Sequence, residues 1–144
     1  MHKRPIILSM KTNRLPLTLA LTGLMMAGAA VAQQHRPHWD AVLLNDKGLF
    51  HFDPHSVAVN GQVRTFMSMV DYKAPQETAD GKRYRSTVTE IQLNCKSGTA
   101  RIMHMAYHTD SMGAGKEVHK EGMVREWMDV PAASPIERIA KRIC

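Results

Sequence analysis

Two cysteines, Cys95 and Cys144, in a chain that opens on an export leader leave one pairing to make, and that pairing dictates which parts of the fold must meet. Residues 1–14 hold Lys3, Arg4, Lys11 and Arg14 with no acid, and an apolar run extends from Leu15 to Ala32. The run ends in Ala-Val-Ala, small residues where a signal peptidase cuts, so residues 1–32 read as a signal peptide and 33–144 as the mature domain. Translation starts at Met1 or at Met10 with the same mature product. Thr18, Thr22, Gly23 and Gly28 interrupt the run, which is about 18 residues and at the lower limit for spanning, so no transmembrane segment is expected after cleavage. No cysteine lies near the Ala32–Gln33 junction to take a lipid, which predicts a periplasmic or secreted protein.

The leader carries four of the 19 Lys/Arg and none of the 13 Asp/Glu, so the formal charge falls from +6 to +2 on its removal. A nucleic-acid partner, which requires a dense basic face, is not expected. The remaining 112 residues make one small domain, for which a disulfide is a substantial supplement.

From Trp39 onward the pattern is short β runs divided by turn residues. Trp39–Leu44 and Leu49–Phe52 flank Asn-Asp-Lys-Gly, where Gly48 can take a positive φ; Val57–Val59 and Val63–Val70 flank Asn60-Gly61, a type I′ hairpin signal. Lys73–Arg83, with Pro75, reads as a polar loop. Tyr84–Cys95 follows, placing Ile91, Leu93 and Cys95 on one face, and then Thr99–His108. Residues 109–122, rich in glycine, read as mobile, and Met123–Val130 is the last strand candidate. Ser134-Pro135-Ile136-Glu137 supplies an N-cap, a first-turn proline and a capping box, and Ile136, Ile139, Ala140 and Ile143 form one helical stripe ending near Cys144. The expected fold is α+β, mainly β: an antiparallel, meander-like sheet of about six strands with one C-terminal helix tethered by Cys95–Cys144.

Several marks then coincide in order and spacing: Trp39 opening the first strand, Phe52-Asp53, Ser56-Val57 before the Asn-Gly turn, Asn94-Cys95, Trp127 before an apolar-proline segment, and the Ser-Pro helix that ends in Cys144. From Trp39 to Cys144 the chain resembles the surface-adhesin protein E-like domains of Gram-negative bacteria. The resemblance implies a disulfide-tethered helix on an antiparallel sheet, and a non-enzymatic module that binds a host or envelope protein. It also implies two alternatives, a homodimer and a periplasmic haem- or metal-binding protein.

No Gly-x-Ser-x-Gly elbow, His-Glu-x-x-His pair or phosphate loop is present, and both cysteines are assigned to the bridge, so no enzyme is expected. Haem and copper are the candidate cofactors. His104 and His108 share one strand face and offer imidazole, whereas Met103 and Met105 point the other way; with Met67 and Met69 they read as core filler. A mature start at Gln33-Gln34-His35 gives an α-amine, two backbone nitrogens and the His35 imidazole for square-planar Cu(II). Lys82, Arg83 and Arg85 are the candidate basic contact for an acidic partner. Trp39 and Trp127 read as core or sheet-edge anchors.

Overall fold

The computed structural model describes residues 36–122 and 126–144. The leader, the Ala32–Gln33 junction and the Gln33-Gln34-His35 copper candidate lie outside the described residues. Six strands pair in chain order, each antiparallel to the next: β1 (Asp40–Leu44), β2 (Gly48–Asn60), β3 (Val63–Glu77), β4 (Arg83–Asn94), β5 (Thr99–His108) and β6 (Glu117–Gly122). A two-residue strand, β7 (Met128–Asp129), pairs with the start of β5, and α1 (Pro135–Ile143) follows.

The strands are longer than the sequence pattern suggests. Leu49–Phe52 and Val57–Val59 belong to one strand, β2, whose register against β3 breaks between Asp53 and Ala58. Ser56 sits in that bulge, donating its hydroxyl to the Asp53 carbonyl and accepting from Met67 N at 2.8 Å, so Met67 N keeps a partner where the ladder is interrupted. Pro75 likewise does not end β3, because it falls where the β3–β4 register is interrupted between Asp71 and Gln76.

Two turns differ in detail from expectation. Asn60 pairs with Val63, so the turn residues are Gly61-Gln62, and Gly61 alone has φ > 0, at 57°, the pattern of a type II′ turn. Gly48 does not need a positive φ: a Cβ there would collide with the Asp71 carbonyl across the β2–β3 ladder, so close approach is what requires glycine. The segment after β5 is built rather than loose. Ser86 Oγ donates to the Asp110 carbonyl at 2.6 Å and accepts from Gly113 N at 2.9 Å, holding a single 3₁₀ turn (Ser111–Gly113) over the sheet before β6 begins.

Helix α1 starts where the sequence signals it. Ser134 Oγ accepts from Glu137 N at 3.1 Å. The reciprocal bond is displaced by one residue, since Glu137 accepts from Ala133 N at 2.7 Å while Ser134 N donates to the Pro131 carbonyl. Ile139 is fully buried against Val42, Phe52, Phe66, Ile91 and Leu93, with Ile136, Ala140 and Ile143 packed around it. Arg64 Nε donates to the Ile143 carbonyl at 3.1 Å, satisfying the last turn. Cys95 and Cys144 are bonded, with their Cα atoms 5.6 Å apart.

The opposite sheet face has its own smaller packed patch. His51, Asp53, Met69 and Ser86 are buried there beneath Trp39 and the 3₁₀ turn. Of the four methionines expected to fill the core, only Met69 is fully buried.

Candidate partner-binding face

Helix α1 is too short for the sheet it covers. Nine residues of helix span about 13 Å, whereas the 15 residues of β3 span about 50 Å. The helix covers Phe66, Ile91, Leu93 and Phe52, and two rungs continue the same face past it. One starts under the helix and reads Phe52, Ser68, Thr89, Met105 and Glu121 across five strands, and the next reads Phe50, Val70, Thr87, Tyr107 and His119. These positions alternate along each strand with residues of the other face, so their common orientation follows from the pleat.

Beside the helix N-terminus this face forms a largely apolar groove of about 250 Å³, walled by half-buried Phe50, Val70, Ile102 and Met105 on the sheet and by Met128, Pro131 and Ile136 opposite. Farther along, four rings touch edge-to-face in series: Tyr72 with Tyr84 at 5.6 Å, Tyr84 with Tyr107 at 4.9 Å, and Tyr107 with His119 at 5.2 Å. Tyr72 Oη lies 3.4 Å from Thr87 Oγ1. The Tyr107 hydroxyl donates to Glu121 at 3.2 Å, and His119 Nε2 lies 3.3 Å from the same carboxylate. Burial, reinforced by the Glu121 charge, pushes the Tyr107 phenol up to about 12, so it remains a neutral donor at physiological pH. A hollow of about 490 Å³ opens beside these rings, walled also by Glu77, Thr78 and Asp80.

His104 and His108 lie on the other face, together with Met67, Glu90, Glu117 and Lys120, around a shallow hollow of about 370 Å³. The alternation that puts both histidines there fails at Met103, where the β4–β5 register shifts. The two histidines sit four residues apart along β5, so their backbone positions are about 13 Å apart and parallel side chains on that strand do not converge on one ion. His104 Nε2 is 3.9 Å from Glu90, and His108 Nδ1 is buried with no hydrogen-bond partner among the described residues. No group of three or more His, Cys, Asp or Glu among the described residues is arranged to hold a metal.

The three basic residues do not form a uniform patch. Lys82 pairs with Asp80 at 3.0 Å, Arg83 is exposed at the start of β4, and Arg85 is half-buried. Trp127, at the sheet margin, stacks under the Arg101 guanidinium at 4.5 Å, while Arg101 donates twice to Gln92.

The tyrosines and the groove escaped the sequence reading. The signal that could have found them is arithmetic: alternating apolar and aromatic residues continue through Val70-x-Tyr72 and Met105-x-Tyr107, beyond anything a nine-residue helix can cover.

Comparisons with known proteins converge on one family. The family described as surface-adhesin protein E matches residues 39–144. Two solved structures of Haemophilus influenzae protein E share the fold. One, a second crystal form, is 16% identical with a TM-score of 0.62, covering 77% of this chain and 90% of that one. The other, from a non-typeable strain, is 14% identical with a TM-score of 0.52, covering 76% of each chain. No curated protein sequence matches the chain. With the family match spanning the whole described fold, the chain belongs to the surface-adhesin protein E family.

Proposed function

We propose that this protein is a non-enzymatic, exported binding module, periplasmic or secreted, that holds a host or envelope protein on the open sheet face. One observation carries the reading. A continuous strip of half-buried apolar and aromatic side chains, from Phe50 and Val70 through Met105 to Tyr107 and Tyr84, lines a groove and a hollow on the same face as the helix, beside the part that the helix seals. Membership of an adhesin family supports it. Surface plasmon resonance of the mature domain against extracellular-matrix proteins and purified envelope proteins tests it, with Tyr72→Ala/Tyr107→Ala as the comparison. Binding that is lost in the double variant supports the face; binding of equal strength in both would sink it.

Two further readings rest on separate observations. A haem- or metal-binding reading draws only on the donor types that His104, His108 and Met67 bring to one hollow, with the two histidines too far apart to share one ion. Hemin titration should then give a saturable Soret change that His104→Ala/His108→Ala abolishes, and an unchanged response in that variant rejects the site. An edge-to-edge homodimer is favoured by β6, which among the described residues pairs with β5 alone; a purely monomeric sedimentation profile at high concentration rejects it.

A further inference from the structure

We propose that His38, Asp40 and His55 form a surface site for a divalent zinc ion at the β1 edge of the sheet, with one coordination position left to water. The site is separate from the groove, from the tyrosines and from the His104–His108 hollow, and it does not depend on what those surfaces bind.

The fold brings the three side chains to one place. His38 and Asp40 are alternate residues where the chain enters β1, and His38 Nε2 lies 3.4 Å from Asp40 Oδ1. Asp40 pairs with Phe52, which sets this stretch beside the interruption of the β2–β3 ladder between Asp53 and Ala58. His55 lies in that interruption. Its backbone is held from below: Asp53, fully buried, accepts from His55 N at 2.9 Å, and Ser56 donates its hydroxyl to the Asp53 carbonyl at 2.6 Å. A bulge re-aims a side chain that a regular ladder would point elsewhere. Here the His55 ring stands 5.4 Å from the His38 ring, centroid to centroid, with the planes inclined at 44°.

These separations are those of ligands on one ion. Two donors about 2.05 Å from a tetrahedral zinc stand about 3.3 Å apart, and two imidazoles bound through one nitrogen each have ring centroids about 5 Å apart. The His38–Asp40 and His38–His55 spacings each meet one of these values. The three donor atoms do not surround a single point as they stand. His55 is exposed, and a turn of its ring about the side-chain bonds is the movement that closes the site.

The donor set selects the ion. Two imidazoles and a carboxylate suit zinc, and three protein ligands leave its fourth position open. Calcium and magnesium take oxygen donors and should not compete. Once bound, the ion would tie the chain entering β1 to the β2 bulge.

Isothermal titration calorimetry of the untagged, chelator-stripped mature protein with zinc chloride tests this. The wild type should show one saturable site, unaffected by excess magnesium. His38→Ala and His55→Ala should each weaken it at least about tenfold, the scale on which even the supporting residues of a metal site act. Asp40→Asn should weaken it as well, whereas His35→Ala and His104→Ala/His108→Ala should leave it unchanged. Absence of saturable zinc binding overturns the proposal, as does an affinity equal to the wild type in both single histidine variants. Binding that survives His38→Ala but is lost in His35→Ala or in His104→Ala/His108→Ala puts the ion elsewhere and overturns it too. The imidazole signals of His38 and His55 in wild-type spectra locate the ion without any variant: both should shift as zinc is added, and two unmoved signals at saturation refute the site.

Discussion

Cys144→Ser separates two ways a terminal bond can act: by holding the helix on the sheet, or by limiting the chain that has not folded. The helix has independent attachments, because Ile139 is fully buried among Phe52, Phe66 and Leu93, and Arg64 grips the Ile143 carbonyl. It should therefore stay docked when the bond is removed. What is lost is the restriction on the unfolded chain. For cysteines 49 residues apart the chain-entropy relation gives about 4 kcal/mol at 25 °C, a large fraction of the 5–15 kcal/mol typical of a small domain. Urea unfolding followed by tryptophan fluorescence should show the free energy lowered by about that amount in Cys144→Ser and in Cys95→Ser/Cys144→Ser alike. The helical signal before the transition should match the wild type. A loss below about 1 kcal/mol would refute the entropic account; disappearance of the helix in the folded baseline would show that the bond, rather than the isoleucine stripe, holds α1.

Ile139→Ala empties the centre of the core and should cost about 2–5 kcal/mol by the same urea measurement. Gly48→Ala puts a methyl group into the Asp71 carbonyl and should cost about 1–3 kcal/mol, although Gly48 has an ordinary φ; a neutral outcome would mean that the two strands separate easily there. His51 is buried with Nδ1 lacking a hydrogen-bond partner among the described residues, and burial lowers its pKa below the ordinary histidine value of about 6.5, against smaller opposing effects from the Leu49 backbone and Asp71. The folded state therefore binds its proton less readily than the unfolded state, so stability is whole above about pH 6.5 and declines as the pH falls towards the folded pKa. His51→Gln should flatten that part of the stability–pH curve, and an identical slope in both proteins would exclude His51 as its source. Replacing Lys82, Arg83 and Arg85 with Ala should lower the salt needed to elute the protein from heparin, and unchanged elution discards the basic contact.

The antiparallel meander, the helix and the bridge were legible because each rests on local signals, but β6 was not, since it lies in the stretch after His108 that reads as a mobile loop. Ser134, Pro135 and Glu137 specify the helix start within four residues, and two thiols leave one bond to form. Strand lengths were not, because Pro54 and Pro75 carry the signature of strand breaks and the ladder absorbs each at a register interruption. The glycine-rich stretch after His108 misled for a similar reason. Gly113 and Gly115 have φ of 72° and 77°, so the glycines shape a turn anchored by Ser86 and Asp71 rather than loosening it. The candidate face stayed hidden because Tyr72, Tyr84 and Tyr107 lie on three strands and adjoin only once the register is known.

The mismatch between a long sheet and a short helix has an evolutionary consequence. Substitutions at Phe66, Leu93 or Ile139 are paid for in folding, whereas those at Tyr72, Tyr84, Tyr107 or His119 fall outside the core that α1 packs against. One scaffold can then vary that end of the sheet, lineage by lineage, while its sealed end stays constant. Divergence to 16% identity within a shared fold is the pattern such a division of labour would leave.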